Sequence, residues 1–150
     1  MSFLLDTSIL VRAVEPESPL FDPTIRSIEL LRSKGEELMV VPQNLVEFWA
    51  VATRPISANG LGLSTVETEN QIAQVKLHFI LRQENETIFE NWAALVNQYQ
   101  VIGKTTHDAR IVAAMQSHGI SDLLTFNVAD FSRYIPSISV HSPHDILSKQ

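Results

Sequence analysis

Short apolar runs alternate with longer helical patterns along the chain, and this alternation restricts the fold more than any other feature. These runs mark four predicted strands, at residues 3–5, 38–41, 122–125 and 138–140, of which the last two also contain polar residues. Between them, apolar residues recur every three or four positions, as they do on one face of an α-helix. Strands that alternate with helices are typical of parallel βαβ units. The sequence therefore predicts an α/β fold in three layers, with a central, mainly parallel, twisted sheet flanked by helices.

Capping residues, prolines and glycines set the boundaries of the helices. Asp22 precedes a proline, and Ser64 with Glu67 forms a capping box, so each marks a helix start. The chain has 150 residues and shows neither a repeat nor a linker, so one domain over residues 1–150 is expected. The predicted helices cover roughly residues 8–14, 22–34, 42–54, 64–77, 85–96, 106–118 and the segment from 143.

Composition and charge exclude several classes of protein. Hydrophobic residues make up 45% of the chain and charged residues 19%, as in ordinary globular proteins. The absence of cysteine excludes disulfides and Cys-based zinc sites, and it fits a reducing cytoplasm. The first apolar run meets Asp6 too early for a signal peptide or a membrane span. A net charge of −6 argues against broad nucleic-acid binding but not against a nuclease, since a bound cation reverses the local field.

Acidic and amide side chains occur in four separate segments, at positions where an α/β fold would gather them. Asp6 and Asn127 come just after predicted strands, and ligands bind at the carboxyl ends of strands in such sheets. Asp108 lies in the first turn of one helix and Glu47 in the second turn of another, and Asp130 follows Asn127 by three residues. Scattered carboxylates suit Mg²⁺, which prefers oxygen ligands and keeps positions for water and phosphate. The pattern indicates metal-dependent phosphodiester chemistry.

Each of these acids also has an ordinary structural interpretation. Asp6 can cap the helix that follows it, Asp108 can be a plain first-turn acid, and Asp130 can cap a short turn. Glu47 lies in a helix that reads as apolar almost all round, so its carboxylate must be paired, coordinated or at an edge. For Glu47 the ordinary alternative is a salt bridge to an arginine.

The histidines and the other sequence motifs give little further evidence about function. His107 is next to Asp108 in sequence and is a candidate for tuning the acidic site. His141 and His144 have no further ligand near them in sequence, so both are expected at the surface. The sequence contains no nucleophile motif, no Walker-type phosphate loop and no G-x-G-x-x-G motif.

Taken in order, the acidic segments resemble those of a PIN domain. The first segment is Leu5-Asp6-Thr7-Ser8, and the second places Glu47 in a mid-chain helix. The third is His107-Asp108-Ala109, and the fourth is Thr125-x-Asn127-x-x-Asp130-Phe131. The closest resemblance is to the VapC-type ribonuclease toxins of toxin–antitoxin pairs, and it extends over nearly the whole chain.

This resemblance implies an endoribonuclease that depends on Mg²⁺ or Mn²⁺ and hydrolyses RNA phosphodiester bonds. Asp6, Glu47 and Asp108 would be the three core acids, acting as metal ligands and in catalysis. Asn127 would add an amide ligand, and Asp130 a further acid with a role in both metal binding and catalysis. Thr125 resembles the polar residue that helps to orient the pocket in this family.

The resemblance also implies partners and a location. A small cognate antitoxin would cover the acidic pocket, the toxin would form a homodimer, and the protein would act in the cytoplasm without a membrane. Three basic residues close to the motifs are candidates for contact with the RNA backbone, and these are Arg12, Lys104 and Arg110.

Two other interpretations remain open from the sequence. A receiver-type phosphoacceptor domain also has a parallel sheet with an acidic pocket, but it needs adjacent acids after the first strand and a lysine late in the sheet. Here only Asp6 follows the first strand, and Lys104 precedes a helix. A PIN-like module that binds RNA or protein without catalysis is the other alternative, and the presence of all the core acids argues against it.

Overall fold

Five parallel strands form the centre of the protein in the computed structural model, which describes residues 1–149. The strands lie in the order β3-β2-β1-β4-β5, and all four pairings are parallel. The mainly parallel sheet predicted from the alternating pattern is therefore confirmed. The bounds of the strands are β1 Ser2–Leu5, β2 Glu37–Val40, β3 Ile80–Leu81, β4 Asp122–Leu124 and β5 Ser139–His141.

Eight α-helices surround this sheet within the described residues. Ser64 accepts a hydrogen bond from the Glu67 amide, so the predicted capping box does begin the fourth helix. Gly119 ends the sixth helix with a left-handed backbone, as expected for a glycine just past a C-terminus. The bounds are α1 Thr7–Arg12, α2 Phe21–Ser33, α3 Pro42–Thr53, α4 Thr65–His78, α5 Thr87–Gln98, α6 Thr106–His118, α7 Val128–Phe131 and α8 Pro143–Ser148.

The hydrophobic core lies on both faces of the sheet because strand side chains alternate in direction. Leu4 and Leu123 contribute to a cluster with the buried residues of α5 and α6. Phe3 and Leu5 contribute to a second cluster, which includes Phe48 of α3 and buried residues of α1, α2 and α4. The three-layer arrangement of helix, sheet and helix follows from these two clusters.

The order of the strands fixes where a ligand site can form. From β1 the sheet grows through β2 to β3, and the chain then returns to the other side of β1 to add β4 and β5. The change of direction falls between β1 and β4, which pair with Leu5 opposite Leu124. Open α/β sheets bind ligands outside the carboxyl ends of their strands at such a switch point.

Strand β3 is missing from the sequence prediction, which gave four strands instead of five. It has only two residues and pairs with the last residues of β2, so a pattern of alternating residues has no room to develop. Ile80 is 43% exposed, and the strand therefore has no buried run either.

A second point concerns α3, which was predicted to be apolar almost all round. Phe48 and Ala52 are buried against the core, but Val46 is 69% exposed and Trp49 38%. One face of α3 therefore packs on the sheet while the opposite face is open. None of the helices in residues 1–149 is both long enough and apolar enough to cross a membrane.

Candidate active site

A cavity of about 780 Å³ opens at the carboxyl edge of the sheet, at the switch point between β1 and β4. Asp6 directly follows β1, and Asn127 follows β4 by three residues. Glu47 reaches the cavity from the second turn of α3 and Asp108 from the first turn of α6. Four of the five residues predicted for the metal site thus line one cavity, although they come from four distant segments.

Asp6 is held by hydroxyl groups on both sides of the switch point. Its Oδ2 accepts hydrogen bonds from Thr125 Oγ1 at 2.7 Å and from Ser8 Oγ at 3.0 Å. Asp6 occupies the position before α1, but its side chain makes no capping hydrogen bond to the helix. Burial raises the pKa of Asp6 despite the hydrogen bonds from Thr125 and Ser8, and the charge of Glu47 raises it further. The capping interpretation is therefore wrong for this side chain, which faces the cavity.

Glu47 is positioned by polar side chains, and no ion pair found in residues 1–149 involves it. Thr7 Oγ1 donates to Glu47 Oε1 at 2.8 Å, and Gln43 Nε2 donates to Oε2 at 2.9 Å. The buried Asn44 accepts a hydrogen bond from the Val41 amide and holds the start of α3 against the sheet. The expected alternative, a salt bridge to an arginine, is absent from the described part of the chain.

Asp108 is half-buried, and the charges of several neighbouring residues shift its pKa. Burial raises its pKa to about 6, and the charges of Asp6, Asp130 and Glu47 add to the shift. The charge of His107 acts in the opposite direction and lowers the pKa. A carboxyl group that resists ionisation among other acids is the electrostatic environment that a cation would relieve.

Asn127 and Asp130 differ in their position relative to the cavity. Asn127 lines the cavity, and its amide donates to Thr125 Oγ1 at 2.9 Å, which links it to the hydroxyl that binds Asp6. Asp130 lies in α7, is exposed and is not among the residues that line the cavity. Its charge still raises the pKa of Asp108, so it acts on the site through the electric field.

The sequence analysis overlooked Arg54, which forms part of the cavity wall. It follows Glu47 by seven residues, and Ala50 and Val51 between them also line the cavity. The spacing of three and four residues follows one face of α3, and Arg54 comes directly after the last residue of the helix, so the pattern could have been read from the sequence. Arg12, one of the three predicted candidates for contact with the RNA backbone, also lines the cavity, but it is paired with Glu15 at 2.8 Å.

The other basic and histidine residues lie outside the cavity. Arg110 is paired with Glu84 at 2.7 Å and is not among the residues that line the cavity. Lys104 is exposed in the turn before α6. His144 is exposed as predicted. The surface prediction for His141 is wrong, because its side chain is 20% exposed and Nε2 lies 2.8 Å from the buried Asp122 Oδ1. The parallel pairing of β5 with β4 brings these two residues together.

Comparison with protein families identifies the fold. The model of the PIN domain family matches residues 3–134, which is most of the chain and includes every residue that lines the cavity. The chain belongs to the PIN-domain family. No curated protein sequence matches it significantly.

Solved structures of VapBC and VapC proteins share this fold at low sequence identity. VapBC2 of Rickettsia felis, solved with a promoter DNA fragment, has a TM-score of 0.71 at 17% identity and covers 95% of this chain and 98% of its own. VapBC-1 of nontypeable Haemophilus influenzae has a TM-score of 0.70 at 18% identity, over 96% and 99% of the two chains. VapC20 of Mycobacterium tuberculosis, a toxin that cleaves the sarcin–ricin loop, has a TM-score of 0.63 at 18% identity, over 91% and 98%.

PIN-domain nucleases generally use divalent metals, and the acids of this cavity are the groups that could bind one. No three His, Asp or Glu side chains in residues 1–149 stand together as a complete ligand group. The donors nevertheless fit Mg²⁺ chemically, because they include carboxylate oxygens. Burial, and then repulsion from the other acids, raises the pKa of Asp108 to about 6. Mg²⁺ is usually held by one or two carboxylates together with waters and substrate phosphates, so a full protein cage is not required.

Proposed function

We propose that this protein is a metal-dependent endoribonuclease, the toxin of a VapC-type toxin–antitoxin pair, and that it acts as one PIN-like domain. The observation that carries the proposal is the convergence of Asp6, Glu47 and Asp108 on one cavity at the switch point of a PIN-domain sheet. Acids that share one cavity raise the energetic cost of ionising one another, and a bound cation would offset that cost.

Asp6 and Asp108 are the residues that would hold a divalent cation, Mg²⁺ or Mn²⁺, with Glu47 and Asn127 completing the site directly or through water. Such an ion, when bound, polarises a phosphate oxygen and lowers the pKa of an attacking water. Thr125 and Ser8 keep the Asp6 carboxylate turned towards the cavity, and Thr7 does the same for Glu47. These hydroxyls fix the acids before substrate arrives, so little reorganisation is needed.

The substrate proposed is single-stranded or looped RNA, whose phosphates are anions. The protein has a net charge of −6, and the cavity itself is acidic, so the approach of RNA needs local positive charge. Arg54 and Arg12 on the cavity wall supply such charge on one side. We assign to Arg54 the contact with the backbone phosphate, because Arg12 is already paired with Glu15.

A small antitoxin, a homodimer and a cytoplasmic location complete the proposal. Several structural neighbours are VapBC complexes, and this supports an antitoxin partner for a chain that shares their fold. The acidic cavity favours an antitoxin segment that presents an Arg or Lys side chain.

Of the two alternatives left open by the sequence, one is contradicted by the topology of the sheet and the other is not. A receiver-type domain has the strand order 2-1-3-4-5, whereas this sheet has the order 3-2-1-4-5, so the topology contradicts that reading. A PIN-like module that binds RNA or protein without cleaving it remains the competing function.

The experiment that separates nuclease from binding module is a cleavage assay on a pool of defined RNAs. The purified protein is incubated with the pool in EDTA, and then with Mg²⁺ or Mn²⁺ restored. We expect internal cleavage only when the metal is present, and no cleavage by the Asp6→Asn protein. RNA that is retained on the protein but stays intact with either metal would favour the binding module.

A further inference from the structure

A second, smaller pocket of about 240 Å³ lies beside the acidic cavity, where α5 packs on the first turns of α6. It is lined by Phe89 and Trp92 of α5, and by Thr106, His107 and Arg110 of α6. His107 and Arg110 flank Asp108 in sequence, so the pocket and the acidic cavity share the start of one helix. None of the residues of this pocket is used in the proposed hydrolysis.

The aromatic side of the pocket has an ordered geometry, yet it is open to solvent. Phe89 is 69% exposed, and its ring centroid is 5.6 Å from that of Trp92 with the planes tilted by 34°. Trp92 Nε1 donates to the Thr106 carbonyl oxygen at 2.8 Å, which fixes the indole ring. Because Phe89 adds little to the core, its exposed ring is free to stack on a ligand.

The polar side of the pocket is fixed by a network that also reaches the acidic cavity. Arg110 donates to Glu84 Oε2 at 2.7 Å and to Gln43 Oε1 at 3.1 Å, so its guanidinium plane is held in place. Gln43 Nε2 in turn donates to the His107 carbonyl oxygen and to Glu47 Oε2. Gln43 therefore couples the position of the pocket to that of a proposed metal ligand.

We propose that this pocket binds one nucleobase of the RNA strand whose phosphate enters the acidic cavity, an inference that rests on the proposed ribonuclease function. Proteins recognise single-stranded RNA by stacking unpaired bases on aromatic rings and on arginine planes, and both are present here. The volume suits a single planar group better than a helix or an extended chain of another protein. The pocket would thus select or position a nucleotide next to the cleaved bond.

The test measures base stacking without cleavage. Short RNAs carrying 2-aminopurine at successive positions are titrated in EDTA with the wild-type protein and with the Phe89→Ala protein, and 2-aminopurine fluorescence reports stacking. We expect saturable quenching at one position and a dissociation constant about 5- to 150-fold higher for Phe89→Ala, the range expected for one stacked base. The matched control is Leu77→Ala, which removes a 75% exposed apolar side chain of α4 outside the pocket and should bind as the wild type does.

Quenching that is absent at every position, or equal in Phe89→Ala and the wild type, would overturn the proposal. A Phe89→Ala protein that changes its mass in sedimentation while the RNA signal is unaffected would assign the pocket to a protein contact and overturn it as well. The nuclease assay with Mg²⁺ is read separately. If the RNA is cleaved but the quenching does not depend on Phe89, the base-binding proposal is refuted and the proposed nuclease function is not. If the quenching depends on Phe89 but no RNA is cleaved, the nuclease function is refuted and the pocket remains a base-binding site.

Discussion

At the scale of single residues, the site is a set of acids that are stabilised by neutral hydroxyl and amide donors. Thr125 and Ser8 bind Asp6, and Thr7 binds Glu47. These donors orient the carboxylates but do not neutralise them, so the repulsion among the acids persists in the metal-free protein. A site of this kind loses some folding stability in exchange for affinity for a cation.

The substitution Asp108→Asn should stabilise the metal-free protein at neutral pH. The pKa of Asp108 is about 6 in the folded protein, above its ordinary value of 3.8, so the folded state loses stability as the pH rises through this interval. Above about pH 6, removing the charge should therefore raise the free energy of unfolding by on the order of 1 kcal/mol, a value reduced because solvent screens this half-exposed group. Below about pH 4, the substitution should change the free energy of unfolding by almost nothing, because Asp108 is already protonated there. Thermal unfolding in EDTA at both pH values measures the difference, and an equal gain at both would show that the charge is not its cause.

Asp130 should act on the metal through its charge, since its position in α7 is outside the cavity lining. Asp130→Asn should raise the Mg²⁺ concentration needed for half-maximal cleavage, on the order of a few-fold, because the field that attracts the cation weakens. A control is Asp145→Asn at the start of α8, an exposed acid away from the cavity. Cleavage curves for Asp130→Asn and the wild type that overlay across the Mg²⁺ titration would refute the role of Asp130.

At the scale of secondary structure, α3 carries the chemistry of one wall of the cavity. Its buried face, with Asn44, Phe48 and Ala52, packs against the sheet and fixes the helix. The adjacent face carries Glu47 in its second turn and leads to Arg54 just past its last residue. This helix and the residue after it would thus supply both an acid for the proposed cation and a positive charge for the proposed phosphate contact.

Arg54→Ala should weaken RNA binding, since a charge-assisted hydrogen bond to phosphate contributes about 1.5–3 kcal/mol, or roughly 10- to 150-fold. The slope of log Kd against log salt concentration should also fall by about 0.7, the value for one phosphate contact with a single strand. Arg26→Ala, on α2 and outside the cavity, is the control for a general loss of charge. An unchanged salt slope for Arg54→Ala would exclude a phosphate contact.

Much of this arrangement could be predicted from the sequence because strands and their ends leave local signals. Asp6 and Asn127 are recognisable as residues that follow apolar runs, and Glu47 and Asp108 as acids early in helices. The sequence leaves no such signal for β3, which exists only because Ile80 pairs with Met39. The same holds for contacts between distant segments, such as Thr125 with Asp6, 119 residues apart, and His141 with Asp122.

At the scale of the whole molecule, the protein carries a net charge of −6, which would repel the RNA that we propose as its substrate. The acidic cavity would instead attract both divalent cations and basic protein segments. The same acids would therefore favour both the proposed cation and a basic segment of the proposed antitoxin. We expect occupation of the cavity by an antitoxin side chain to exclude the metal and the RNA.

Co-expression with the proposed cognate antitoxin should relieve growth arrest and allow a complex to be purified. The reason is that a basic antitoxin side chain in the cavity competes with the cation for the carboxylates. A matched control is the Glu47→Gln protein, which should be non-toxic alone. Expression of the wild-type protein without any effect on growth, although it cleaves RNA in vitro, would favour a role in RNA processing instead.

The central claim is that Asp6, Glu47 and Asp108 jointly serve one divalent-cation site for RNA cleavage. The measurement that tests it most directly is the rate of cleavage of one RNA substrate against Mg²⁺ concentration, for the wild type and for Asp6→Asn, Glu47→Gln and Asp108→Asn. We predict saturable Mg²⁺ dependence for the wild type and at least about a 100-fold loss of rate in each variant, with the fold retained by circular dichroism. Variants that cleave at the wild-type rate, or wild-type cleavage that persists in EDTA, would contradict the claim.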